Sequence, residues 1–252
     1  MKLYCRQIGT GDPVVILHGI FGMSDNWLTI AKKLSANHHC YILDMRNHGR
    51  SPHSRDLTYD DMVEDVYEFL TDFRLRTASF IGHSMGGMVA MKFAFEYSHR
   101  IEKLVIVDIA PKSYPSLHQD ILKGLKSIPI DKIKAREEAS EILKKYVTSN
   151  KTRQFLLKNL YRKADNTYAW RVNLEAIVNH TSDIGLGISQ NFTYEKPTLF
   201  IRGEKSDYIL PEDEQQILTI FPNATIIEIP DASHWVHAEK PDEVLKVLEN
   251  FL

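Results

Sequence analysis

The pentapeptide GHSMG at residues 82–86 has the pattern of a catalytic nucleophile in a tight turn. It lies between an apolar run at 78–81 and a helix-patterned run at 88–95, so its serine falls where a strand would turn into a helix. The backbone at such a turn is strained, and the flanking glycines allow the strand and the helix to approach closely. A chance match in a glycine-containing turn is the alternative, and the flanking elements favour the catalytic interpretation. We therefore predict that Ser84 is a nucleophile at the C-terminal edge of a sheet.

The loop HGIFG at residues 18–22 follows the apolar run 14–17 and is the second candidate part of a catalytic site. Hydrolysis of an acyl group places negative charge on a carbonyl oxygen, and two aimed N–H donors stabilise that charge. One donor would be the backbone N–H of Met85, directly after the nucleophile, and the other would come from a loop after an early strand. We predict the N–H of Phe21 as this second donor. The side chain of His18 is expected only to bond to the backbone.

His234 follows the last strand-like run, residues 224–229, and therefore lies at the same edge of the predicted sheet as Ser84. The chain has 11 histidines, most of which must be structural, so the position of a histidine says more than its type. An imidazole at this edge can take the proton from the serine hydroxyl and return it to the leaving group. The order of serine before histidine along the chain also fits such a site. We predict that His234 is the general base.

A serine–histidine pair needs a carboxylate that orients the imidazole and stabilises its charged form. Two aspartates follow predicted strands at the same edge of the sheet. Asp108 directly follows the run 104–107, and Asp207 comes shortly after the run 197–201. Both positions could reach His234, and the aspartate that is not the acid would cap backbone N–H groups of its loop. The residues alone leave this choice open.

Strand-like and helix-like runs alternate along the chain, which predicts an α/β fold with a mostly parallel central sheet flanked by helices. The stretch between the strand-like runs 104–107 and 197–201 is far longer than an ordinary strand–helix connection. We therefore predict a helical lid at 112–190, inserted after the sixth strand of a core domain formed by 1–111 and 191–252. Helices of this lid are predicted near residues 117–127, 132–147, 152–163 and 168–179.

The predicted lid is basic, with 14 Lys and Arg against 8 Asp and Glu. Such a lid could attract an anionic substrate, for example an acyl-coenzyme A or a phosphorylated ester. The alternative, which we favour, is that these lysines solubilise exposed helix faces. Three aromatic residues, Tyr161, Trp170 and Phe192, are predicted to line a pocket for the acyl group, although aromatic residues in helices more often belong to a core.

Composition and charge exclude several other classes of protein. With 252 residues and a net charge of −2, the chain can bury one large core and needs no polyanionic partner. Its two cysteines form no CxxC pair, so neither a disulfide scaffold nor a zinc site is predicted. No long apolar segment stands near the N-terminus, so we expect a cytoplasmic protein that binds neither membranes nor nucleic acid. The oligomeric state, monomer or dimer, stays open.

Six segments spread over nearly the whole chain resemble the α/β-hydrolase fold, and more narrowly the YbfF-type bacterial esterases and their mitochondrial abhydrolase relatives. These segments are HGIFG (18–22), DMRNHGRSPHS (44–54), GHSMGG (82–87), VDIAP (107–111), WRVNL (170–174) and SHWVHAEKP (233–241). The resemblance implies a cofactor-free serine esterase or thioesterase that acts on small or acyl-chain esters. It also implies that the acid is the aspartate of the DIAP element, Asp108, which we favour over Asp207 although the chain carries both.

The same fold hosts other functions, so the resemblance does not by itself fix the reaction. The alternatives are a lyase of the menaquinone-synthesis type, a carbon–carbon bond hydrolase, and a weakly catalytic ligand-binding receptor. We predict hydrolysis of a small-molecule ester or thioester through an acyl-enzyme on Ser84. A lyase would show negligible activity on simple esters, and a receptor would show no fast turnover of any ester.

Overall fold

The computed structural model of the chain describes residues 1–114, 118–188 and 192–252. The strands are β1 (Tyr4–Ile8), β2 (Asp12–Leu17), β3 (His38–Asp44), β4 (Ala78–His83), β5 (Ile101–Val107), β6 (Leu160–Arg162), β7 (Tyr168–Trp170), β8 (Thr198–Gly203) and β9 (Ala224–Ile229). The helices are α1 (Leu28–Leu34), α2 (Tyr59–Asp72), α3 (Met85–Glu96), α4 (Gln119–Lys126), α5 (Arg136–Leu143), α6 (Asn150–Leu157), α7 (Leu174–Asn179), α8 (Thr181–Ile184), α9 (Glu214–Ile220), α10 (Val236–Glu239) and α11 (Pro241–Phe251). No helix in these three ranges is long and apolar enough to cross a lipid bilayer.

Seven strands form one sheet, in the order β1-β3-β2-β4-β5-β8-β9. β1 runs antiparallel to β3, and every other neighbouring pair in this sheet runs parallel. The predicted α/β fold with a mostly parallel sheet is therefore confirmed. Because parallel strands share one direction, the segments that follow β4, β5, β8 and β9 all leave the sheet at the same edge.

The central strands are buried on both faces of the sheet. Val14 and Ile16 of β2 belong to the core shared with α1 and α11, whereas Val15 and Leu17 belong to the core shared with α2 and α3. Successive side chains of a strand point to opposite faces, so burial of both faces requires an unbroken apolar run. This explains why residues 14–17 are all apolar and carry no alternating pattern.

Helix α2 begins with a capping box. The hydroxyl of Thr58 accepts the N–H of Asp61 at 3.2 Å, and the carboxylate of Asp61 accepts the N–H of Thr58 at 3.2 Å. These bonds satisfy two backbone donors that a helix start leaves unpaired. Thr58 is therefore the N-cap of helix α2.

The chain between β5 and β8, residues 108–197, carries α4 to α8 and the strands β6 and β7; we call it the insertion. It follows the fifth strand in chain order, not the sixth as predicted, because the chain before residue 108 forms five strands. The predicted start of a lid helix at residue 117 and the predicted boundary between 190 and 191 lie outside the described residues. The division into a core domain and a lid domain stays a prediction.

The predictions of two helices within the insertion are wrong in part. The end of the run 152–163 and the start of the run 168–179 are not helical but pair as the antiparallel strands β6 and β7. Both strands carry aromatic side chains, which favour extended backbone. Asn166, with a φ of 66°, lies in the turn between them. Local β-propensity and turn chemistry therefore outweigh the helical spacing of the apolar residues.

Candidate active site

Ser84 lies in the turn between β4 and α3. Its φ is 51°, which residues other than glycine rarely adopt, and its carbonyl accepts the N–H groups of Gly87 and Met88. A Cβ atom at position 82 would lie only 2.4 Å from the carbonyl oxygen of Gly86. The strand and the helix are thus so close that only glycine fits at position 82. This turn holds the Ser84 hydroxyl at the edge of the sheet.

The structure brings Ser84, His234 and Asp108 together. The Oγ atom of Ser84 lies 3.1 Å from Nε2 of His234, and Nδ1 of the same imidazole lies 2.8 Å from Oδ2 of Asp108. Ser84 follows β4, Asp108 follows β5, and His234 lies in the loop after β9. A carboxylate only accepts hydrogen bonds, so Nδ1–H donates to Asp108 and Nε2 is left to accept the serine proton.

The carboxylate of Asp108 is fixed by two further donors. The backbone N–H of Gly203 donates to Oδ1 at 3.0 Å, and the hydroxyl of Ser206 donates to Oδ2. Asp108 is completely buried, and its φ of 52° is again in the left-handed region. The strained backbone and the two donors leave Oδ2 facing the imidazole of His234.

Burial controls the charge of this site. It lowers the pKa of His234 well below its ordinary value of 6.5, because an imidazolium would lose its hydration here. Burial raises the pKa of Asp108, whereas the hydrogen bonds from Ser206 and Gly203 lower it. The imidazole is therefore neutral near neutral pH, which is the state that can accept a proton.

Asp207, the other candidate acid, lies on the exposed side of its loop. The described residues show no hydrogen bond or ion pair between Asp207 and His234, while the preceding Ser206 points inward to Asp108. The negative charge of Asp207 helps to raise the pKa of Asp108. The geometry favours Asp108 over Asp207 as the partner of the imidazole.

Two residues that hold His234 in place were not predicted. The Nε2–H of His83 donates to the backbone carbonyl of His234 at 2.9 Å. The ring of Tyr208 stacks on the imidazole, with 3.6 Å between ring centroids and 15° between the ring planes. His83 stands inside the nucleophile pentapeptide, and that position was the available signal. Nothing in the sequence indicates Tyr208, because its contact depends on how two loops pack.

The loop 18–22 lies directly against Ser84. A Cβ atom at Gly19 would lie 3.1 Å from Cβ of Ser84. Among the described residues, neither the N–H of Phe21 nor that of Met85 has a hydrogen-bond acceptor. Both groups are free to bind a substrate oxygen, and their role as oxyanion donors stays a prediction.

The side chain of His18 bonds only to the backbone, as expected. Its Nε2 accepts the N–H of Met45 at 2.9 Å, so its Nδ1 carries the proton and donates to the carbonyl of Gly19 at 2.8 Å. Burial lowers the pKa of His18 to about 4, and the ring is neutral. This histidine links the loop 18–22 to the segment after β3.

A cavity of about 10 Å³ borders Ser84, and its apolar walls include Ile20, Phe21, Ile121, Phe155, Leu156 and Trp235. This volume holds one water molecule at most, so an ester reaches Ser84 only after a wall residue moves. A second cavity of about 410 Å³ lies next to it, and the side chains of Phe155 and Trp235 border both. Their ring centroids are 5.4 Å apart. These two rings lie between Ser84 and the larger cavity.

The aromatic residues predicted for the acyl pocket, Tyr161, Trp170 and Phe192, do not border the cavity at Ser84. Tyr161 lies in β6 under the guanidinium of Arg171, at 4.8 Å. Trp170 lies in β7, and Phe192 stacks on Phe95 with 5.0 Å between centroids, beside a different cavity. Because β6 and β7 form a hairpin where helices were predicted, α6 supplies the wall at Ser84 instead.

Comparison with known proteins gives consistent matches. Residues 12–241 match a family described as the alpha/beta hydrolase fold. The sn-1-specific diacylglycerol lipase ABHD11 of Danio rerio is 43% identical, over 97% of this chain and 80% of that protein. Esterase YbfF of Escherichia coli K12 is 35% identical, over 96% of this chain and 93% of that protein. A solved structure titled marine microorganism esterase has a TM-score of 0.97 and 40% identity, and the match covers 100% of this chain and 99% of that one.

The resemblance predicted from the six sequence segments is thereby confirmed. The matches extend over almost the full length of both partners, so they include the segments that carry Ser84, Asp108 and His234. The chain belongs to the α/β-hydrolase fold family and is a carboxylic ester hydrolase of the esterase and lipase type.

Proposed function

We propose that this hydrolase cleaves esters and thioesters through an acyl-enzyme on Ser84, with His234 as general base and acid and Asp108 as the orienting carboxylate. The observation that carries this proposal is the unbroken hydrogen-bonded chain from serine to imidazole to carboxylate, at 3.1 Å and 2.8 Å. A neutral imidazole held at Nδ1 by a buried carboxylate aims its Nε2 lone pair at the serine hydroxyl. Acyl transfer to serine requires this arrangement.

The first half of the proposed reaction acylates the serine. Nε2 of His234 takes the hydroxyl proton as Oγ of Ser84 attacks the carbonyl carbon, and the carbonyl oxygen becomes an oxyanion. The N–H groups of Phe21 and Met85 stabilise that charge. The intermediate collapses when the proton passes from Nε2 to the departing alcohol or thiol. In the second half, a water molecule attacks the acyl carbon and loses a proton to Nε2. The acid then leaves as the bond to Oγ breaks, and the proton passes from Nε2 back to Oγ of Ser84.

The substrate class follows from the chemistry of the walls. The apolar side chains around Ser84 favour an uncharged acyl group. The leaving group needs only a proton from Nε2, so both alcohols and thiols satisfy the mechanism. The name of the Danio rerio relative, a diacylglycerol lipase, supports an apolar acyl chain as well.

Covalent labelling tests the nucleophile. A fluorophosphonate probe is expected to react with the purified protein, and peptide mapping by mass spectrometry should find the phosphonyl group on Ser84. The matched control is Ser84→Ala, which removes the hydroxyl and should carry no label. Label on another residue, or label retained by the control, would refute the acyl-enzyme. Turnover of p-nitrophenyl esters without any turnover of acyl thioesters would limit the proposal to oxygen esters.

Phe155→Ala is expected to favour esters with long acyl chains. Removal of the ring joins the cavity of about 10 Å³ at Ser84 to the adjacent one of about 410 Å³. We expect kcat/KM for p-nitrophenyl octanoate to rise about 10-fold relative to p-nitrophenyl acetate, because the removed ring leaves room at Ser84 for a longer acyl chain. The measurement is the ratio of kcat/KM values over a graded series of acyl chains.

Phe192→Ala is the matched control for Phe155→Ala. Phe192 is an aromatic residue of the same size that borders a different cavity, against Phe95. Its removal should leave the dependence on chain length unchanged. If Phe192→Ala changed the dependence of kcat/KM on chain length and Phe155→Ala did not, the acyl pocket would be assigned to the cavity beside Phe192.

A further inference from the structure

Asn159, just after α6, reaches from the insertion to the loop at the nucleophile. Its side chain is 1% exposed, and its Nδ2 donates to the backbone carbonyl of Phe21 at 2.7 Å. The same amide nitrogen donates to the carbonyl of Leu156 at 3.2 Å. The contact joins residues far apart in sequence and connects the wall of the cavity to the proposed oxyanion donor.

The orientation of the Asn159 amide is fixed by its neighbours. Both groups that face Nδ2, the carbonyls of Phe21 and Leu156, only accept hydrogen bonds, so the NH₂ end must point toward them. Among the residues that the structure describes, the Oδ1 atom at the other end is buried without a hydrogen-bond partner. A buried unpaired acceptor lowers the stability of a fold. The two bonds that Nδ2 donates hold the amide in this position despite that cost.

Phe21 needs such support because its backbone is strained. Its φ of 61° is in the left-handed region, which a bulky residue avoids. Within the described residues, one backbone hydrogen bond closes this turn. The N–H of Gly22 donates to the carbonyl of Gly19 at 2.9 Å. The bond from Asn159 holds the carbonyl side of the Phe21–Gly22 peptide, and the bond from Gly22 to Gly19 holds its N–H side. Together they limit rotation about the backbone bonds of Phe21, and so limit the directions open to its own N–H in the preceding peptide.

We infer that Asn159 is a positioning residue that aims the Phe21 N–H at the oxyanion. This inference rests on the proposed function, because it requires that Phe21 stabilise negative charge during acyl transfer. It also means that the segment that forms the cavity wall, with Phe155 and Leu156, sets the geometry of the oxyanion site. The insertion then contributes to the chemical step as well as to access.

Asn159→Ala and Asn159→Asp test this role in the full chain. Each is expected to lower kcat for p-nitrophenyl butyrate by about 100-fold, because a misdirected donor loses most of its effect on the transition state. KM should change less than about threefold, since the bond acts on the transition state and not on binding. The matched control is Asn173→Ala. Asn173 also bonds from the insertion to the core, at Asn47 and Ser54, but not to the loop 18–22.

The pH dependence separates positioning from a general loss of structure. Asn159→Asp keeps the size of the side chain, and the introduced carboxyl can donate to the Phe21 carbonyl only when it is protonated. Burial raises the pKa of such a carboxyl, so kcat relative to the unsubstituted protein should recover between about pH 8 and about pH 6. Asn159→Ala should show no recovery. If kcat fell as much in Asn173→Ala as in Asn159→Ala, with KM unchanged in both, the inference would be overturned.

Labelling distinguishes this inference from the proposed function. Suppose that both Asn159 variants keep a normal kcat and that the fluorophosphonate still labels Ser84 in the unsubstituted protein. This result would overturn the positioning role and leave the proposed acyl-enzyme intact. Absence of label on Ser84 in the unsubstituted protein would overturn the proposed function itself.

Discussion

Asp108→Asn is expected to lower kcat by about 10⁴-fold, whereas Asp207→Asn should leave kcat close to that of the unsubstituted protein. The difference follows from the contacts of the two carboxylates. Oδ2 of Asp108 accepts Nδ1–H of His234 at 2.8 Å, and Asp207 is exposed. An orienting acid acts only through its contact with the imidazole, so only the first substitution should affect the chemical step.

The fixed surroundings of Asp108 explain why the effect should be so large. The N–H of Gly203 donates to Oδ1, so the introduced amide must keep its oxygen there and turn its NH₂ group toward His234. That NH₂ group can only donate, so Nδ1 must become the acceptor and Nε2 must carry the proton. Nε2 could then no longer accept the hydroxyl proton of Ser84.

Steady-state kinetics with p-nitrophenyl butyrate measure this effect, with thermal unfolding of each variant to confirm that it is folded. KM of Asp108→Asn should change little, because the carboxylate does not bind the substrate. A large loss of kcat in Asp207→Asn, with little loss in Asp108→Asn, would reverse the assignment of the acid. Fluorophosphonate labelling of Asp108→Asn should also slow, because the same base activates Ser84 toward the probe.

The nucleophile turn and the sheet could be predicted because their signals are local. The turn GHSMG at 82–86 stands between an apolar run and a helical pattern, and the alternation of strands and helices continues on both sides. A parallel sheet then brings the ends of its strands to one edge whatever their separation along the chain. For this reason the position of His234 after β9 was as informative as its residue type.

The choice of the acid could not be made from the residues alone. The strand-end rule placed both Asp108 and Asp207 at the correct edge of the sheet. What separates them is the path of the chain after β8, which turns Ser206 inward to the carboxylate of Asp108 and leaves Asp207 outside. That path depends on contacts between residues about a hundred positions apart, and no local pattern encodes them.

The walls of the cavity at Ser84 could not be predicted, because they depend on packing within the insertion. Tyr161 and Trp170 were predicted, as aromatic residues of the lid, to line the acyl pocket, but both lie in the β6–β7 hairpin. The cavity at Ser84 is closed instead by Phe155 of α6 and by Trp235. Apolar residues in a short helix look alike in sequence whether they face a core or a substrate.

Mild acid is expected to unfold the protein. Six histidines are buried or half-buried and lose hydration on folding: His18, His48, His83, His118, His234 and His237. Burial lowers the pKa of each, to about 4 for His18 and to about 3 for His48 and His83. The unfolded chain would protonate the same side chains near 6.5. Below that pH the unfolded state binds more protons than the folded state, so the free energy of unfolding falls as the pH falls.

The size of this effect follows from the number of protons. Asp108 opposes the trend, because burial raises its pKa to about 6 and the folded state then gains a proton more easily than the unfolded one. The six histidines less this carboxyl leave about five protons, or roughly 7 kcal/mol per pH unit between about pH 6 and about pH 4. A domain of ordinary stability, about 5 to 15 kcal/mol, would lose its fold within a few pH units.

Urea unfolding at a series of pH values, followed by circular dichroism, measures this loss. His237→Phe is the matched control, because a phenyl ring keeps the stacking on Trp27, now at 4.2 Å between centroids, but cannot be protonated. We expect it to reduce the slope of free energy against pH by about one proton, or about 1.4 kcal/mol per pH unit. A free energy of unfolding that stayed constant between about pH 7 and about pH 5 would mean that these histidines gain protons in the folded state as easily as in the unfolded chain.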